Sequence, residues 1–278
     1  CFLYSARRAT EPVIDAHYQA PVIFGEGHVA HPFTTHAFFN ISAMSYGALS
    51  GPAISALSAG AQQSGIWLNT GEGGLAPFHQ AAACDLVFQI GTAKYGVRDE
   101  AGNLDSHKVA ELAAIPEVRM FEIKLSQGAK PGKGGILPGE KVTALIASTR
   151  GISQGHDSIS PNRHPEVTDA ASLLDLIERV RSASGKPTGI KCVIGQTAWL
   201  DDLCDAIQLR GIRSAPDFIT LDSADGGMGN CPIFGSDYDS CRLFCMVLCS
   251  CALSGADGDA GSAAFACGHH PRGSQLFR

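Results

Sequence analysis

Residues 120–139 read MFEIKLSQGAKPGKGGILPG. The stretch opens as an alternating apolar strand, with Met120, Phe121, Ile123 and Leu125 as its apolar positions and Lys124 out of phase. It then breaks into a loop holding five glycines, two prolines and two further lysines, Lys130 and Lys133. A strand that ends in a lysine and runs into a glycine-rich cationic loop is a physical recipe for holding an anion. Glycines let backbone N–H groups approach it, and lysines supply point charge. A solvated surface loop with incidental lysines has the same composition, so the flanking chain decides between the two.

Working outward, the same pattern recurs. Upstream, residues 38–43 read as a strand running into MSYGALS. Ser50 then caps a helix with Pro52 in its first turn, an apolar stripe of Ile54, Leu57 and Ala61, and a stop at Gly65. Residues 66–69 are a short buried strand entering TGEGGLAP, residues 86–90 another apolar run, and residues 104–114 a short helix capped at Asp105 or Ser106. Downstream, residues 140–150 read as a helix stopped by Gly151. Thr168 caps a helix whose face is Leu173, Leu174, Ile177 and Val180. Residues 189–194 form a strand containing Lys191, residues 199–209 a helix, and residues 218–222 a strand ending in SADGGMGN.

Short apolar strands alternating with amphipathic helices specify an α/β fold with a parallel sheet, and the length favours a (β/α)8 TIM-type barrel over a doubly wound sheet. In either fold the polar groups just after the strands build the site. Here these are Ser45, Glu72, Lys124, Lys191 and Asp225.

Composition narrows the function classes. The 278 residues are 45% hydrophobic and 17% charged, as expected of a folded enzyme rather than a disordered chain. A net charge of −6 without a basic stripe argues against nucleic acid as a partner. The longest apolar run, residues 243–253, is too short to span a bilayer. No signal peptide is visible, and the opening Cys1 reads as an internal or processed start. Cysteine usage without a pairing pattern fits a reducing compartment, so a cytoplasmic location is expected. His28, His31 and His36 lack metal-ligand spacing.

Residues 231–278 differ from the rest. They hold six of the ten cysteines, no lysine and no glutamate, and no strand–helix alternation. Cys241, Cys245 and Cys249 fall at helical spacing, which a greasy segment gives as readily as a metal face. Five firm barrel strands precede residue 230, and the last 48 residues cannot supply three more, so the barrel reads as incomplete at its C-terminal end. Three segments follow: an irregular extension over 1–37, a barrel portion over 38–230 and an atypical cysteine-rich tail over 231–278.

MSYGALS at 44–50, NTGEGG at 69–74, IKLSQGAKPGKGGILPG at 123–139, SISP at 158–161, GIKCVIG at 189–195 and DFITLDSADGGMGN at 217–230 stand in one order. Together they resemble the FMN-binding glutamate synthase domain, most closely its short, stand-alone form, over about residues 38–230. The resemblance implies reduction of 2-iminoglutarate, formed from 2-oxoglutarate and ammonia, by hydride transfer from reduced FMN. It implies that Lys124 and Lys191 stabilise the reduced flavin and that Gln127 touches its ring. Met44 and Ser45 contribute from the first loop, Asp225 belongs to the cofactor-binding set, and only the backbone N–H groups of Gly226, Gly227 and Gly229 are left to approach the FMN phosphate. Lys130 and Arg150 would anchor the two substrate carboxylates, and Glu72 would act where ammonia enters. An electron-donor protein or reductase subunit is the implied partner.

Three departures stand out. Ile136 occupies a position where strict glutamate synthases carry a glutamine, and Lys133 replaces an acid common in the larger enzymes. Beyond residue 230 nothing resembles the family, so its FMN phosphate grip and the three cysteines of its 3Fe–4S cluster are not matched. A frameshifted or truncated gene end accounts for that composition, and the chain as written is expected to hold FMN weakly. Two readings compete: an N-methylglutamate synthase-like subunit using an amine in place of ammonia, and an inactive barrel fragment. Residues 151–155, GISQG, formally match a nucleophile-elbow pattern, but a helix precedes the serine where that motif requires a strand.

Overall fold

The strand that ends in Lys124 is β5 (Val118–Lys124), and residues on both of its faces are buried, as a strand covered on both sides requires. In the computed structural model, which describes residues 21–37, 39–128, 134–195, 198–222 and 246–249, β5 is the centre of a six-stranded sheet. The order is β10-β9-β8-β5-β4-β3, with β3 (Leu68–Asn69), β4 (Leu86–Ile90), β8 (Thr188–Cys192), β9 (Phe218–Leu221) and β10 (Met246–Cys249). Strands β3, β4, β5, β8 and β9 are parallel, and β10 runs antiparallel along β9. The five parallel strands form the curled sheet of an incomplete TIM-type barrel.

The strand read at residues 38–43 is reduced to one parallel bridge, Ile41 to Leu68, held by Ile41 N–H to the Trp67 carbonyl and Asn69 N–H to the Ile41 carbonyl. Phe38 lies outside the described residues. The irregular reading of residues 1–37 is corrected where β1 (Val22–Phe24) pairs antiparallel with β2 (Phe33–Thr35).

Alternation along β5 sorts its side chains onto two faces. Phe121 and Ile123 join Leu86, Phe88, Ile90 and Ile190 in the core beneath the helices. Met120, Glu122 and Lys124 stack on the inner face in three layers. The lowest layer is apolar: Met120 packs with Trp67, Val87, Phe218 and with Phe24 and Phe33 from the β1–β2 hairpin. Gly189 is required here, because a Cβ on it would fall 2.4 Å from the Phe218 ring. The middle layer is polar. Glu122 accepts from Asn69 Nδ2 at 2.8 Å, Gln89 Nε2 at 2.6 Å and Thr220 Oγ1 at 2.6 Å. The top layer, at the C-terminal ends of the strands, carries Lys124, Lys191 and Asp222.

The helices form where local signals place them. In α1 (Gly51–Ser64) Ser50 Oγ accepts from Ala53 N–H, and Gly65 closes the helix in the left-handed region. Asp105 caps α2 (Ser106–Ala113). The helix read over 140–150 divides: a single 3-10 turn at Gly139–Lys141 comes first, and α3 (Ala144–Arg150) starts only where Thr143 Oγ1 accepts from Ile146 N–H. In α4 (Ala170–Ser184) the cap is Asp169 rather than Thr168, because Asp169 and Ser172 bond reciprocally. Finally, α5 (Ala198–Arg210) links β8 to β9. Among the described residues no helix is long and apolar enough to cross a membrane.

Candidate active site

Lys124 ends β5 with its ammonium almost enclosed. Its Nζ donates to Glu72 Oε2 at 3.0 Å and to Gln127 Oε1. Burial pushes the Lys124 pKa below its ordinary value, and attraction to Glu72 only partly offsets it; Lys191 lowers it further and Asp222 raises it. Lys191 lies beside it in register on β8, and its Nζ sits 3.4 Å from Asp222 Oδ2. The same Asp222 oxygen accepts from Gly128 N–H at 3.1 Å and so ties the end of β9 to the start of the loop after β5. A small cleft opens above, lined by Glu72, Thr92, Lys124, Gln127, Gly134, Gly135 and Asn162.

Two glycine loops meet beside it. Gly71, at φ +68°, approaches so closely that a Cβ would lie 2.6 Å from Ser45 N. Met44 is held from both sides: its N–H donates to the Asn69 carbonyl at 3.0 Å, and its carbonyl accepts from His79 Nε2 at 2.8 Å. Ala76 N–H donates to His79 Nδ1 at 3.1 Å, which places the ring proton on Nε2. Burial lowers the His79 pKa.

Arg150, in the last turn of α3, is the third cationic group. Nη1 donates to Ser158 Oγ at 2.9 Å, Nη2 to the Tyr46 carbonyl at 3.3 Å, and Nε, though buried, has no hydrogen-bond partner. A Cβ on Gly47 would lie 2.9 Å from Nη2, and one on Gly73 would lie 3.6 Å away, so these two glycines leave room for the guanidinium. Burial lowers its pKa, with Tyr95 and Glu72 acting in the opposite direction.

The structure thus brings together Glu72, Lys124, Gln127 and Lys191, with Met44, Ser45 and Arg150 around them. Lys130, Asp225, Gly226, Gly227 and Gly229 lie outside the described residues. Ile136, in β6 (Ile136–Leu137), is 69% exposed and faces Ile159 of β7 (Ser158–Ile159) rather than lining the cleft.

Sequence reasoning missed several groups. Asp222 was read as the last residue of a strand, and the alternation that carries it into the top layer was the available signal. His79, Tyr95 and His164 gave no signal of their own. His164 Nε2 donates to the Lys124 carbonyl at 3.0 Å, and Lys94 pairs with Glu166 at 3.0 Å behind it. Among the described residues no group of three or more His, Cys, Asp or Glu is arranged to hold a metal.

The comparisons with known proteins point to one family. A family model described as the conserved region in glutamate synthase matches residues 6–241. The chain is 39% identical over 208 residues to the glutamate synthase large subunit-like protein YerD of Bacillus subtilis, covering 74% of this chain and 39% of that one. It is 34% identical over 199 residues to the archaeal-type glutamate synthase [NADPH] of Thermotoga maritima, covering 71% and 36%. Against the archaeal glutamate synthase [NADPH] of Methanocaldococcus jannaschii it is 34% identical over 200 residues, again covering 71% and 36%. The matched part therefore spans less than half the length of these relatives. The chain belongs to the glutamate synthase family.

Proposed function

We propose that this chain is a flavin-dependent oxidoreductase of the glutamate synthase type, reducing 2-iminoglutarate, formed from 2-oxoglutarate and ammonia, to glutamate. The observation that carries the reading is the Lys124 ammonium, nine-tenths buried at the C-terminal rim between Glu72 and Gln127 with Lys191 in register beside it. Burying two adjacent lysines is costly, and such a pair at a strand-end cleft marks a candidate site for an anion.

The residues present fit FMN. Two ammonium groups on neighbouring strand ends supply positive charge for a reduced flavin, and Gly71 lets the TGEGG loop pack directly on the Ser45 backbone beside them. When bound, FMN supplies the hydride. Lys124 and Lys191 would hold its negative charge, and Gln127, Met44 and Ser45 would bind it from the loops beside them. Asp225, Gly226, Gly227 and Gly229 join this set on sequence grounds, as does Lys130 for the substrate.

The chain's own groups then bind and move protons. Arg150 and Lys130 each take one carboxylate of 2-oxoglutarate, which fixes the carbonyl carbon over the cleft. Glu72 takes a proton from ammonium or orients the imine, and water leaves as the imine forms. Lys124, whose pKa burial lowers, holds a proton within reach of Glu72. An electron-donor protein or reductase subunit is the proposed partner, and the Thermotoga and Methanocaldococcus relatives carry NADPH in their names. Among the described residues no group of three or more His, Cys, Asp or Glu offers ligands to the iron–sulfur cluster of the family.

The test is calorimetric titration of the protein, with FMN in excess, by 2-oxoglutarate. Replacing Arg150 or Lys130 by Ala should weaken binding by about 1.5–3 kcal/mol, the range of a charge-assisted bond, while retained flavin stays unchanged. Loss of flavin with unchanged substrate affinity overturns the assignment.

A further inference from the structure

Arg150 is contacted by Tyr95, which lies outside every quoted motif, and by Ser158, which opens the SISP stretch but was assigned no role there. Tyr95, in the loop after β4, and Ser158, the first residue of β7, are both buried. Ser158 Oγ donates its single proton to Tyr95 Oη at 2.6 Å, which leaves the serine oxygen as an acceptor facing Arg150 Nη1 at 2.9 Å. The guanidinium also lies over the Tyr95 ring, 5.0 Å from its centroid. Nη1 is thereby committed to the protein.

On a guanidinium, Nε–H and one Nη2–H lie along one edge and together match the two oxygens of a carboxylate. Among the described residues Nε has no partner, and Nη2 makes only its 3.3 Å bond to the Tyr46 carbonyl. The side that Ser158 and Tyr95 engage is the opposite one. A buried N–H without a partner is costly in a finished structure, and a bound carboxylate would satisfy it.

We propose that Tyr95 and Ser158 are positioning residues which turn Arg150 so that its Nε/Nη2 edge is presented to one carboxylate of the substrate. The inference rests on the reading of Arg150 as a substrate anchor. Without the Tyr95 hydroxyl, the Ser158 proton is no longer directed away from Arg150, and the serine stops holding Nη1 as an acceptor. The guanidinium then samples other rotamers, and the two-point match is lost while the charge remains.

Tyr95→Phe keeps the ring and removes only the hydroxyl, so it separates positioning from packing. With FMN in excess, calorimetric titrations would compare wild type, Tyr95→Phe, Ser158→Ala and the double variant, using 2-oxoglutarate and glutarate, which has the same two carboxylates. Each single variant should bind both compounds roughly five- to tenfold more weakly, with little change in the thermal unfolding midpoint of Tyr95→Phe. Because both residues act through one guanidinium, the double variant should bind no more weakly than the poorer single.

If wild type binds neither compound, or Arg150→Ala binds as wild type does, the underlying reading of Arg150 fails. If Arg150→Ala weakens binding but both single variants bind within about twofold of wild type, or their losses multiply in the double variant, the positioning role is overturned and the anchor stands. Should Tyr95→Phe fail to fold, Ser158→Ala decides by the same criterion.

Discussion

The two ends of the sheet's inner face are built on opposite principles. At the N-terminal end, Trp67, Val87, Met120 and Phe218 meet Phe24 and Phe33 in a wholly apolar layer. At the C-terminal end the same strands present Lys124, Lys191 and Asp222. Within β5 the change takes four residues, from Met120 through Glu122 to Lys124. The lower layer stabilises through area and packing, which need no partner and tolerate little loss of volume. The upper layer is held against its own preference: burial lowers the Lys124 and Arg150 pKa values, so for each ion desolvation outweighs the attraction of its neighbours. Stability therefore resides below, and the costly charged layer lies above, at the end of the strands where barrels keep their sites.

The largest expected effect comes from breaking the lower end. Phe24 is buried among Phe33, Trp67 and Phe218, with ring centroids 6.4, 5.9 and 5.6 Å away. Phe24→Ala should cost about 3–5 kcal/mol in urea unfolding. A loss below about 1 kcal/mol would mean that the hairpin does not plug the sheet.

The middle layer comes next. Glu122 accepts three hydrogen bonds through two oxygens. Glu122→Gln keeps the volume but turns one acceptor into a donor facing donors, so a loss of about 2–3 kcal/mol is expected. Unfolding midpoints in urea measure it, and an unchanged midpoint would show that the layer is not satisfied as drawn.

At the upper end the pattern inverts. Glu72→Gln removes a charge whose side chain is a quarter exposed, and stability should move by less than about 1 kcal/mol. Ammonia-dependent glutamate formation should nevertheless fall by roughly 100-fold, the lower end of general acid–base contributions. Intact turnover would remove Glu72 from the chemistry.

Legibility in the sequence follows the same division. The helix α1 could be read because Ser50, Pro52 and Gly65 act locally. That Lys124 and Lys191 share the inner face at the strand ends could be read from alternation along two apolar strands. The β1–β2 hairpin could not, since three-residue strands carry no period and are fixed by Trp67 and Phe218 from far along the chain. Glu122 read as an ordinary polar strand position, because its three donors come from strands β3, β4 and β9 and appear only when the sheet curls. Tyr95 was invisible for the same reason, and Ser158, though quoted within SISP, carried no role, because the meaning of both is a distance to Arg150.

The smallest effect separates the ends by pH. His79 braces Met44 and His164 braces the Lys124 carbonyl, both at the upper end, and burial lowers the pKa of each below the ordinary 6.5. His79 has no place for a second proton, because Nδ1 already accepts from Ala76 N–H. The unfolded chain takes up these protons near pH 6.5, whereas the folded chain takes them up only at lower pH. Below about pH 6.5 the unfolded state therefore binds more protons, and stability falls as pH falls through this window. Above it the contribution is constant. Glu166 has the same sign, since hydrogen bonds from its own backbone and from Lys94 outweigh burial and lower its pKa, but it acts below 4.5 and leaves the window to the histidines. A His79→Asn, His164→Asn double variant should be less stable than wild type at pH 7.5 and should lose less on going to pH 5.5. Equal losses in urea midpoint across that interval would show that neither histidine is held neutral beneath the site.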